Sequence, residues 1–381
     1  MTPRHKAAWL LLALTAGTLL SLSGCSNLGY YWQSASGHLN LMRAARPVPQ
    51  LLADPATPAA LRDKLALTQR MRRFAVTELG LPDNASYTEY ADLHRPTAVW
   101  NVVAAPPYSL KLKTWCFPVA GCVGYRGYYS DADAMAEAEA QRAEGFETGV
   151  YPVPAYSTLG WLNWAGGDPL LSTFIGYPEG ELARLMFHEL AHQVLYVPGD
   201  TAFNESYATA VERIGGARWL ATQASEAARI EYAQFDQRRQ QFRQLTLKTR
   251  RELEAIYGAS DDGNGKGNGN GSNGARDMLA VDARKQAALQ DFRARYATMR
   301  AAWSGPQQGA YDRWVARANN AMFGAQAVYD DLVPAFEALF EREGRDWHRF
   351  HAAAAKLADL PKKQREEALK NMTHENGKPG V

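Results

Sequence analysis

The sequence contains little cysteine and almost no excess of either charge. It has 3 cysteines in 381 residues, and 42 basic against 40 acidic side chains leave a formal net charge of +2. A chain so evenly charged has no electrostatic reason to bind nucleic acid or a strongly acidic partner. After residue 24 the apolar runs stay below the roughly 18 residues that a membrane-spanning helix needs. What remains is the 46% hydrophobic content of an ordinary globular protein.

The first 24 residues have the features of an export signal. A positively charged start precedes a short apolar run over residues 7–20, and Ser23 and Gly24 place small residues directly before Cys25. This order is typical of a secretory signal. The stretch that ends in Cys25 also resembles the lipobox of bacterial lipoproteins. That resemblance implies acylation of Cys25 and, with Ser26 next to it, a position at the outer membrane facing the periplasm. An ordinary signal peptide with an incidental cysteine is the alternative.

The two other cysteines lie close together in the segment Trp115–Cys122. Cys116 and Cys122 are separated by five residues that include Pro118 and Gly121, which allows the chain to turn back. In the oxidising compartment that an export signal implies, such a pair tends to form a disulfide. A metal-binding pair is the alternative, although no second pair or nearby histidine completes such a site. We therefore expect a Cys116–Cys122 disulfide that shapes a local hairpin.

The order of apolar and turn residues predicts an α+β fold in which helices dominate. Strand patterns come before most of the helical ones, so a small sheet should precede a pair of site-bearing helices and a long antiparallel helical hairpin. The predicted elements are helices over 55–79 and 131–144 and strands over 99–103, 108–112 and 149–154.

We predict a single domain over residues 25–360 after the signal. Within it, two helices over about 180–221 should carry the site, and the helical hairpin should follow over about 222–303. The Gly- and Asn-rich stretch over 259–276 should form a disordered tip, because it buries little surface and would lose much entropy if ordered. The charged tail over 361–381 is predicted to fray.

The stretch Leu185–Gln193 carries the most specific chemical pattern in the chain. His188 and His192 stand four positions apart with Glu189 between them, in a run of apolar residues at helical spacing. Residues four apart lie on one face of a helix, so both imidazoles can reach a single ion. This His-Glu-x-x-His pattern is typical of a zinc site whose glutamate is the general base. Two ordinary helix histidines are the alternative, but they would leave polar groups in an apolar setting without evident partners.

The third ligand of the site is predicted from the turn that follows. A catalytic zinc ion takes three protein ligands and keeps one position open. The turn Val197–Asp200 ends the first helix, and Glu205 follows this turn at the distance by which His192 precedes it. An antiparallel helix pair therefore brings Glu205 beside His192. Glu212, two turns further along the same helix face, is the alternative ligand or a partner that supports a histidine.

These residues resemble the site of the gluzincin metallopeptidases, the class to which thermolysin belongs. The matching features are the His-Glu-x-x-His helix and the pair Asn204–Glu205 on the helix that follows. The resemblance implies Zn²⁺ as the cofactor and peptides as the substrates.

The chain is also similar, from the lipobox to about residue 360, to a family of bacterial lipoproteins described as zinc aminopeptidases. The matching segments are Tyr156–Trp161, Asp168–Phe174, the zinc helix, Phe203–Ser206 and Asn319–Ala321. One departure concerns the amino end of the substrate. Gluzincin aminopeptidases carry a Gly-x-Met-x-Asn loop before the zinc helix, and here the segment 156–174 takes its place without that pattern. A metallopeptidase is therefore better supported than an aminopeptidase.

The donor that would stabilise the oxyanion of amide hydrolysis is left open among four side chains. Tyr329 and Tyr156 are the leading candidates, and Tyr207 and Arg126 are the others.

A second pair of histidines, His348 and His351, is three positions apart and could bind metal. Surface or hydrogen-bonded helix histidines explain this pair better.

Taken together, the patterns predict a monomeric zinc-dependent peptidase, anchored by lipid in the bacterial cell envelope, with peptide or protein substrates. The alternative is a non-enzymatic envelope lipoprotein in which zinc is structural and the helices form a scaffold. A hydrolase of another bond, such as a cell-wall amidase, is a third reading. A structural zinc site is closed by four protein ligands, and the sequence offers no obvious fourth.

Overall fold

The computed structural model of the protein describes residues 29–117, 121–155, 166–261, 271–304, 308–327 and 332–375. The predicted signal with Cys25 lies outside these ranges, as do residues 262–270 of the predicted hairpin tip.

Helices make up most of the described chain, so the predicted α+β fold with helices dominant is confirmed. In chain order the elements are α1 (29–44), β1 (Ala45–Pro47), α2 (Val48–Ala53), α3 (Ala59–Leu79), β2 (Glu89–Ala91), β3 (Val99–Ala105), β4 (Trp115–Phe117), β5 (Gly121–Val123), β6 (Arg126–Tyr128), α4 (Asp131–Ala143), β7 (Glu147–Val153), β8 (Leu170–Leu171), α5 (Glu179–Val194), α6 (Thr201–Thr222), α7 (Glu226–Asp261), α8 (Gly271–Ala301), α9 (Asp312–Arg317), α10 (Asn320–Ala327), α11 (Val333–Arg342), α12 (Trp347–Ala358) and α13 (Lys362–Glu375).

The sheet nearest the candidate site is antiparallel, with the order β6-β3-β7. Strand β7 pairs with β3 from Val153 to Glu147 and is an edge strand of this sheet. Successive residues of a strand point to opposite faces. Val102 accordingly packs in a cluster with α4, whereas Val103 packs in a cluster with α10. Because helices cover both faces, β3 is buried along nearly its whole length. A second small sheet has the order β1-β2-β8.

Strands β4 and β5 form a separate hairpin that is closed by the predicted disulfide. Cys116 and Cys122 are paired in the register of the two strands and their sulfurs are bonded. Gly121 in this hairpin has a φ of +73°, and a Cβ there would lie 2.5 Å from the backbone nitrogen of Gly199. Only glycine fits such a position without strain. The disulfide hairpin therefore packs directly against the turn between α5 and α6.

The strand predicted over 108–112 is wrong, because this segment has no regular structure. The residue that precedes it is held by side chains: the Pro107 carbonyl accepts hydrogen bonds of 2.7 Å from both Lys285 and Asn320. Tyr108 and Leu110 pack against the core of the helical hairpin. Tertiary contacts thus override the strand preference of these residues.

The main core surrounds α5 and α6, which lie side by side. Two glycines of α6 allow its neighbours to approach closely. A Cβ at Gly215 would lie 2.7 Å from Cδ1 of Leu79 on α3, and one at Gly216 would lie 2.8 Å from Cγ of Arg184 on α5. The largest fully buried aromatic side chains of this core are Phe174, Phe187, Phe203, Tyr207, Trp219, Phe336 and Phe350.

Helices α7 and α8 form the predicted antiparallel hairpin. Near its base Arg238 donates to the Ser304 carbonyl at 3.1 Å, and further out Arg295 lies 3.3 Å from Glu252. These contacts join the start of α7 to the end of α8, which defines the antiparallel arrangement. The hairpin has its own apolar core.

The tail beyond residue 360 is helical as far as Glu375, where we predicted fraying. Leu369 in α13 is fully buried, and Arg365 is 4% exposed. Arg365 donates to Oδ2 of the equally buried Asp200 through Nε at 3.0 Å and Nη2 at 2.7 Å. The inward face of α13 is this narrow stripe, and the many charged residues around it obscured the pattern. The tail thus braces Asp200, the residue that caps the start of α6.

Candidate metal centre

Helix α5 presents a polar edge on an otherwise buried helix. Glu179 and Glu181 occupy its first turn, where negative charge interacts favourably with the helix dipole. Leu182, Met186 and Leu190 recur at helical spacing and are buried in the main core. The helix is therefore fixed by its apolar side, and its histidine pair occupies a defined position.

The turn between α5 and α6 is held by one side chain, Asn204. Its Oδ1 accepts from the backbone N–H of Val197 at 2.8 Å, and its Nδ2 donates to the carbonyl of the same residue at 2.8 Å. Asp200 caps α6 by accepting from the N–H of Phe203. With Asn204 held against the turn, the position of the next residue, Glu205, is set relative to α5.

Three side chains from the two helices meet at one point. Nε2 of His188 lies 3.2 Å from Nε2 of His192 and 3.3 Å from Oε2 of Glu205. Nε2 of His192 lies 3.7 Å from the same oxygen of Glu205. Within the described ranges this group has three members, and no fourth His, Cys, Asp or Glu joins it. The structure thus brings together the three residues that the sequence suggests as ligands.

These separations suit a tetrahedral ion. Zinc bonds of about 2.0–2.1 Å to nitrogen or oxygen imply ligand-to-ligand distances of about 3.3–3.4 Å at a tetrahedral centre. A neutral imidazole nitrogen without hydrogen is an acceptor, and so is a carboxylate oxygen. Three such atoms in contact repel one another unless a proton or a metal cation lies between them. The donor set of two imidazoles and one carboxylate is one that zinc favours.

Glu212 contacts the opposite side of His188. Its Oε2 lies 3.0 Å from Nδ1 of His188, and its Oε1 accepts from Nη2 of Arg184. Burial alone would raise the pKa of Glu212, but the Arg184 charge and the His188 hydrogen bond hold it at about 2. Glu212 is therefore a carboxylate that receives the Nδ1 proton of His188. It leaves Nε2 for the three-member group and stands outside that group itself.

The protonation of the three-member group depends on the charges of its own members and of Glu212. Burial acts to lower the pKa of His188, but hydrogen bonds to Glu205 and Glu212 outweigh it and hold the pKa well above its ordinary value. For Glu205, burial acts to raise the pKa, and the neighbouring His192 and His188 reverse this and lower it. A metal ion that binds here must therefore displace a proton, which makes its affinity dependent on pH.

Glu189 differs in position from the three converging residues. It lies outside the three-member group and lines the same cleft as His188. Burial raises its pKa, and the charges of His188 and His192 offset that effect only in part. A carboxylate with a raised pKa, beside a candidate metal position and open to a cleft, is suited to accept a proton.

The cleft beside the group has a volume of about 1500 Å³. This exceeds the roughly 300–1000 Å³ of most small-molecule sites. Its walls come from α5 and α6, from the edge strand β7, from α7, and from α9, α10 and α11. A binding space of this size suits a peptide segment.

The other side chains suggested from the sequence lie elsewhere or outside the described residues. Tyr329 and Tyr156 are outside the described ranges. Tyr207 is buried, and its hydroxyl is 2.7 Å from Nδ1 of His351. Arg126 pairs with Glu137 and stacks on an aromatic ring 4.1 Å away. Neither Tyr207 nor Arg126 lines the cleft.

The histidines of α12 are not close to the metal group. His351 is buried, with Nε2 2.8 Å from the carbonyl of Leu79, so Nε2 donates and Nδ1 accepts from Tyr207. His348 is exposed. These are the hydrogen-bonded and surface histidines expected for this pair.

Sequence reasoning missed Tyr151, on the edge strand β7. It lines the cleft together with His188 and Glu189. Burial raises its pKa to about 12, with a hydrogen bond to Asn101 acting in the opposite direction, so its hydroxyl keeps its proton at neutral pH. The pKa of Tyr125 is also raised well above its usual value, by burial and by Glu205. The sequence around a tyrosine in a predicted strand does not indicate which site the side chain will approach. The proximity of Tyr151 to the metal group depends on how the sheet packs.

Comparison with known proteins places the chain in a family. The family model described as "Putative aminopeptidase" matches residues 29–369. The chain belongs to this family, and membership supports hydrolysis of peptides in general. No curated protein and no solved structure gives a significant match.

Proposed function

We propose that the protein is a zinc-dependent peptidase whose metal ligands are His188, His192 and Glu205. The observation that carries the proposal is the convergence of these three donors, at distances that suit a tetrahedral ion, on the wall of a cleft large enough for a peptide. Family membership supports the same general reaction.

The alternative scaffold function is less well supported. A structural zinc ion is normally enclosed by four protein ligands. Here the described residues supply three, and His188 lines a large cleft. An open position facing a substrate-sized space favours catalysis.

When bound, zinc supplies Lewis acidity to the scissile carbonyl and to water. The protein's own groups do the rest of the work. His188 is oriented by Glu212, which holds the proton of Nδ1 and leaves Nε2 as a donor to the ion. Glu189 accepts a proton from the attacking water and delivers it to the nitrogen of the departing amine. Its raised pKa brings it closer to neutrality, where both transfers are efficient.

The oxyanion of the tetrahedral intermediate needs a hydrogen-bond donor. We assign this role to Tyr151, because its hydroxyl is protonated at neutral pH and it lines the same cleft as His188 and Glu189. Val150 and Pro152 line the cleft as well. A peptide in extended conformation can add to the edge of such a strand through main-chain hydrogen bonds.

The test is incubation of zinc-loaded protein, beginning at residue 26, with a mixed peptide library. Mass spectrometry of the new ends should show cleavage, and release of single amino-terminal residues would establish an aminopeptidase. Internal cleavage would keep the metallopeptidase and remove the narrower activity. Absence of any cleavage at full metal occupancy would refute the proposal.

The site of action is proposed to be the bacterial outer membrane, with the protein held by acyl chains on Cys25 and facing the periplasm as a monomer. Within the described ranges, no helix is both long and apolar enough to cross a bilayer. Two or more acyl chains give stable anchoring, whereas a single chain binds marginally.

Cys25→Ser is therefore expected to move the protein from the membrane fraction to the soluble periplasmic fraction. Ser23→Ala is the matched control, because it keeps a small residue at the cleavage site and leaves the cysteine in place. Membrane fractionation that stays unchanged in Cys25→Ser, with normal removal of the signal, would contradict the lipid anchor.

A further inference from the structure

One wall of the cleft has only basic side chains among its charged residues. This wall is formed by α7 beyond Arg239 and by α9. Three arginines line it, Arg243, Arg313 and Arg317, and among the described residues that line it there is no carboxylate. Every acidic residue that lines the cleft is on α5, α6, α11 or the first part of α7.

Arginines near the metal helices are already paired. Arg184 contacts Glu212, and Arg239 donates to Glu181 at 2.7 Å and to Asp236 at 2.9 Å. These ion pairs give Arg184 and Arg239 acidic partners on the metal side of the cleft. They leave the wall formed by α9 as the cationic part of the cleft.

Arg313 and Arg317 differ from these paired arginines. They are exposed, stand four positions apart on α9 and so lie on one face of it. In the part of the chain that the structure describes, neither side chain makes a hydrogen bond or ion pair. Guanidinium groups bind carboxylates through two parallel hydrogen bonds, so an unfilled pair of them suits an anionic ligand.

The short helix that carries this pair is firmly held. Trp314, between the two arginines, packs edge-to-face on Phe242 at 5.3 Å, Phe292 at 5.9 Å and Phe323 at 5.3 Å. Because α9 is anchored in the hairpin core, the backbone positions of Arg313 and Arg317 are set before a ligand arrives. Binding to a preorganised site costs less conformational entropy.

We propose that Arg313 and Arg317 bind a carboxylate of the substrate, so that the enzyme prefers anionic peptides. The inference rests on the proposed peptidase function. Arg239 reaches Glu181, which precedes His188 by seven residues or roughly 10 Å of helix. Tyr311, the residue before α9, stacks at 4.0 Å on Phe242, three positions beyond Arg239 on α7. A ligand of α9 therefore sits on the order of three to four extended residues from the scissile bond. The carboxylate is either the C-terminus of a short peptide or an acidic side chain.

The experiment compares matched peptides that carry Glu or Gln at the third and fourth positions after the cleaved bond, each with a free or an amidated C-terminus. Wild-type enzyme should cleave the carboxylate-bearing peptides with a kcat/KM higher by about ten- to a hundredfold. The arm that removes the preference, side chain or terminus, identifies the source of the carboxylate. In Arg313→Gln/Arg317→Gln the ratio should fall to near one.

Arg251→Gln removes an exposed arginine of α7 that does not line the cleft and should leave the preference intact. Equal cleavage of charged and neutral peptides by the wild type, or a preference that persists in the double variant, would overturn the proposal.

Should no peptide be cleaved at all, the peptidase function fails and the carboxylate site is judged by calorimetry with the glutamate peptide. Binding that weakens at least tenfold in the double variant supports the site. Binding that is absent, or equal in both proteins, refutes it.

Discussion

Replacing Glu189 by glutamine is expected to reduce peptide hydrolysis by about a hundred- to ten-thousandfold, the usual contribution of a general base. Zinc should remain bound, because Glu189 is not among the three converging donors. Glutamine keeps the size and shape of the side chain but cannot accept a proton. The measurement is kcat on a peptide that the wild type cleaves, together with metal content of the same samples.

The matched control is Glu231→Gln, an exposed glutamate on α7 that does not line the cleft, which should retain wild-type kcat and zinc. Full activity in Glu189→Gln would show that proton transfer does not involve this residue, and the mechanism would be wrong. Joint loss of zinc and activity would instead make Glu189 a metal-binding residue.

Removal of a histidine from the metal group is expected to abolish stoichiometric zinc binding. His188→Ala and His192→Ala each leave two donors, which hold the ion too weakly to compete with buffer. His348→Ala is the matched control, because this histidine is exposed and lies on α12 away from the group. Metal analysis after dialysis decides the matter, and full zinc content in either site variant would eliminate the proposed centre.

Substitutions of Glu205 and Glu212, the two glutamates of α6, should reduce zinc binding for different reasons. Glu205→Gln weakens a ligand, so zinc content and activity should fall together and excess zinc should partly restore both. Glu212→Gln removes the partner of His188 Nδ1, and losses of this kind typically cost about 10- to 100-fold in metal affinity. If Glu212→Gln lost zinc and Glu205→Gln did not, the third ligand would be assigned to the wrong residue.

The ligand group could be suggested from the sequence because its geometry is local. His188 and His192 share a helix face by periodicity alone, and the turn Val197–Asp200 sets Glu205 opposite them by simple counting. The structure adds the hydrogen bonds by which Asn204 holds this turn in one conformation. The helix pair, the hairpin and the strand β3 follow from hydrophobic patterns that need no knowledge of distant contacts.

Features that depend on distant contacts were not predictable. The segment 108–112 has the composition of a strand, but Lys285 and Asn320 hold the backbone at Pro107. Tyr151 lines the cleft because β7, the edge strand of its sheet, forms part of the cleft wall. The cationic wall could not be predicted, because the sequence does not tell which arginines have acidic partners. Each of these facts belongs to the packing of elements that are far apart in the chain.

The ion pair between Asp200 and Arg365 joins residues that are synthesised at very different times. The two residues are 165 positions apart, and at about 5–20 residues per second the ribosome adds Arg365 roughly ten to thirty seconds after Asp200. During that interval the carboxylate at the start of α6 lacks its guanidinium, and burying it unpaired would be costly. Helix α6, which carries Glu205 and Glu212, therefore gains its last brace when nearly the whole chain has been made. A chain interrupted before α13 keeps the ligands and the hydrogen bonds of Asn204, but it leaves the buried carboxylate at the start of their helix without Arg365.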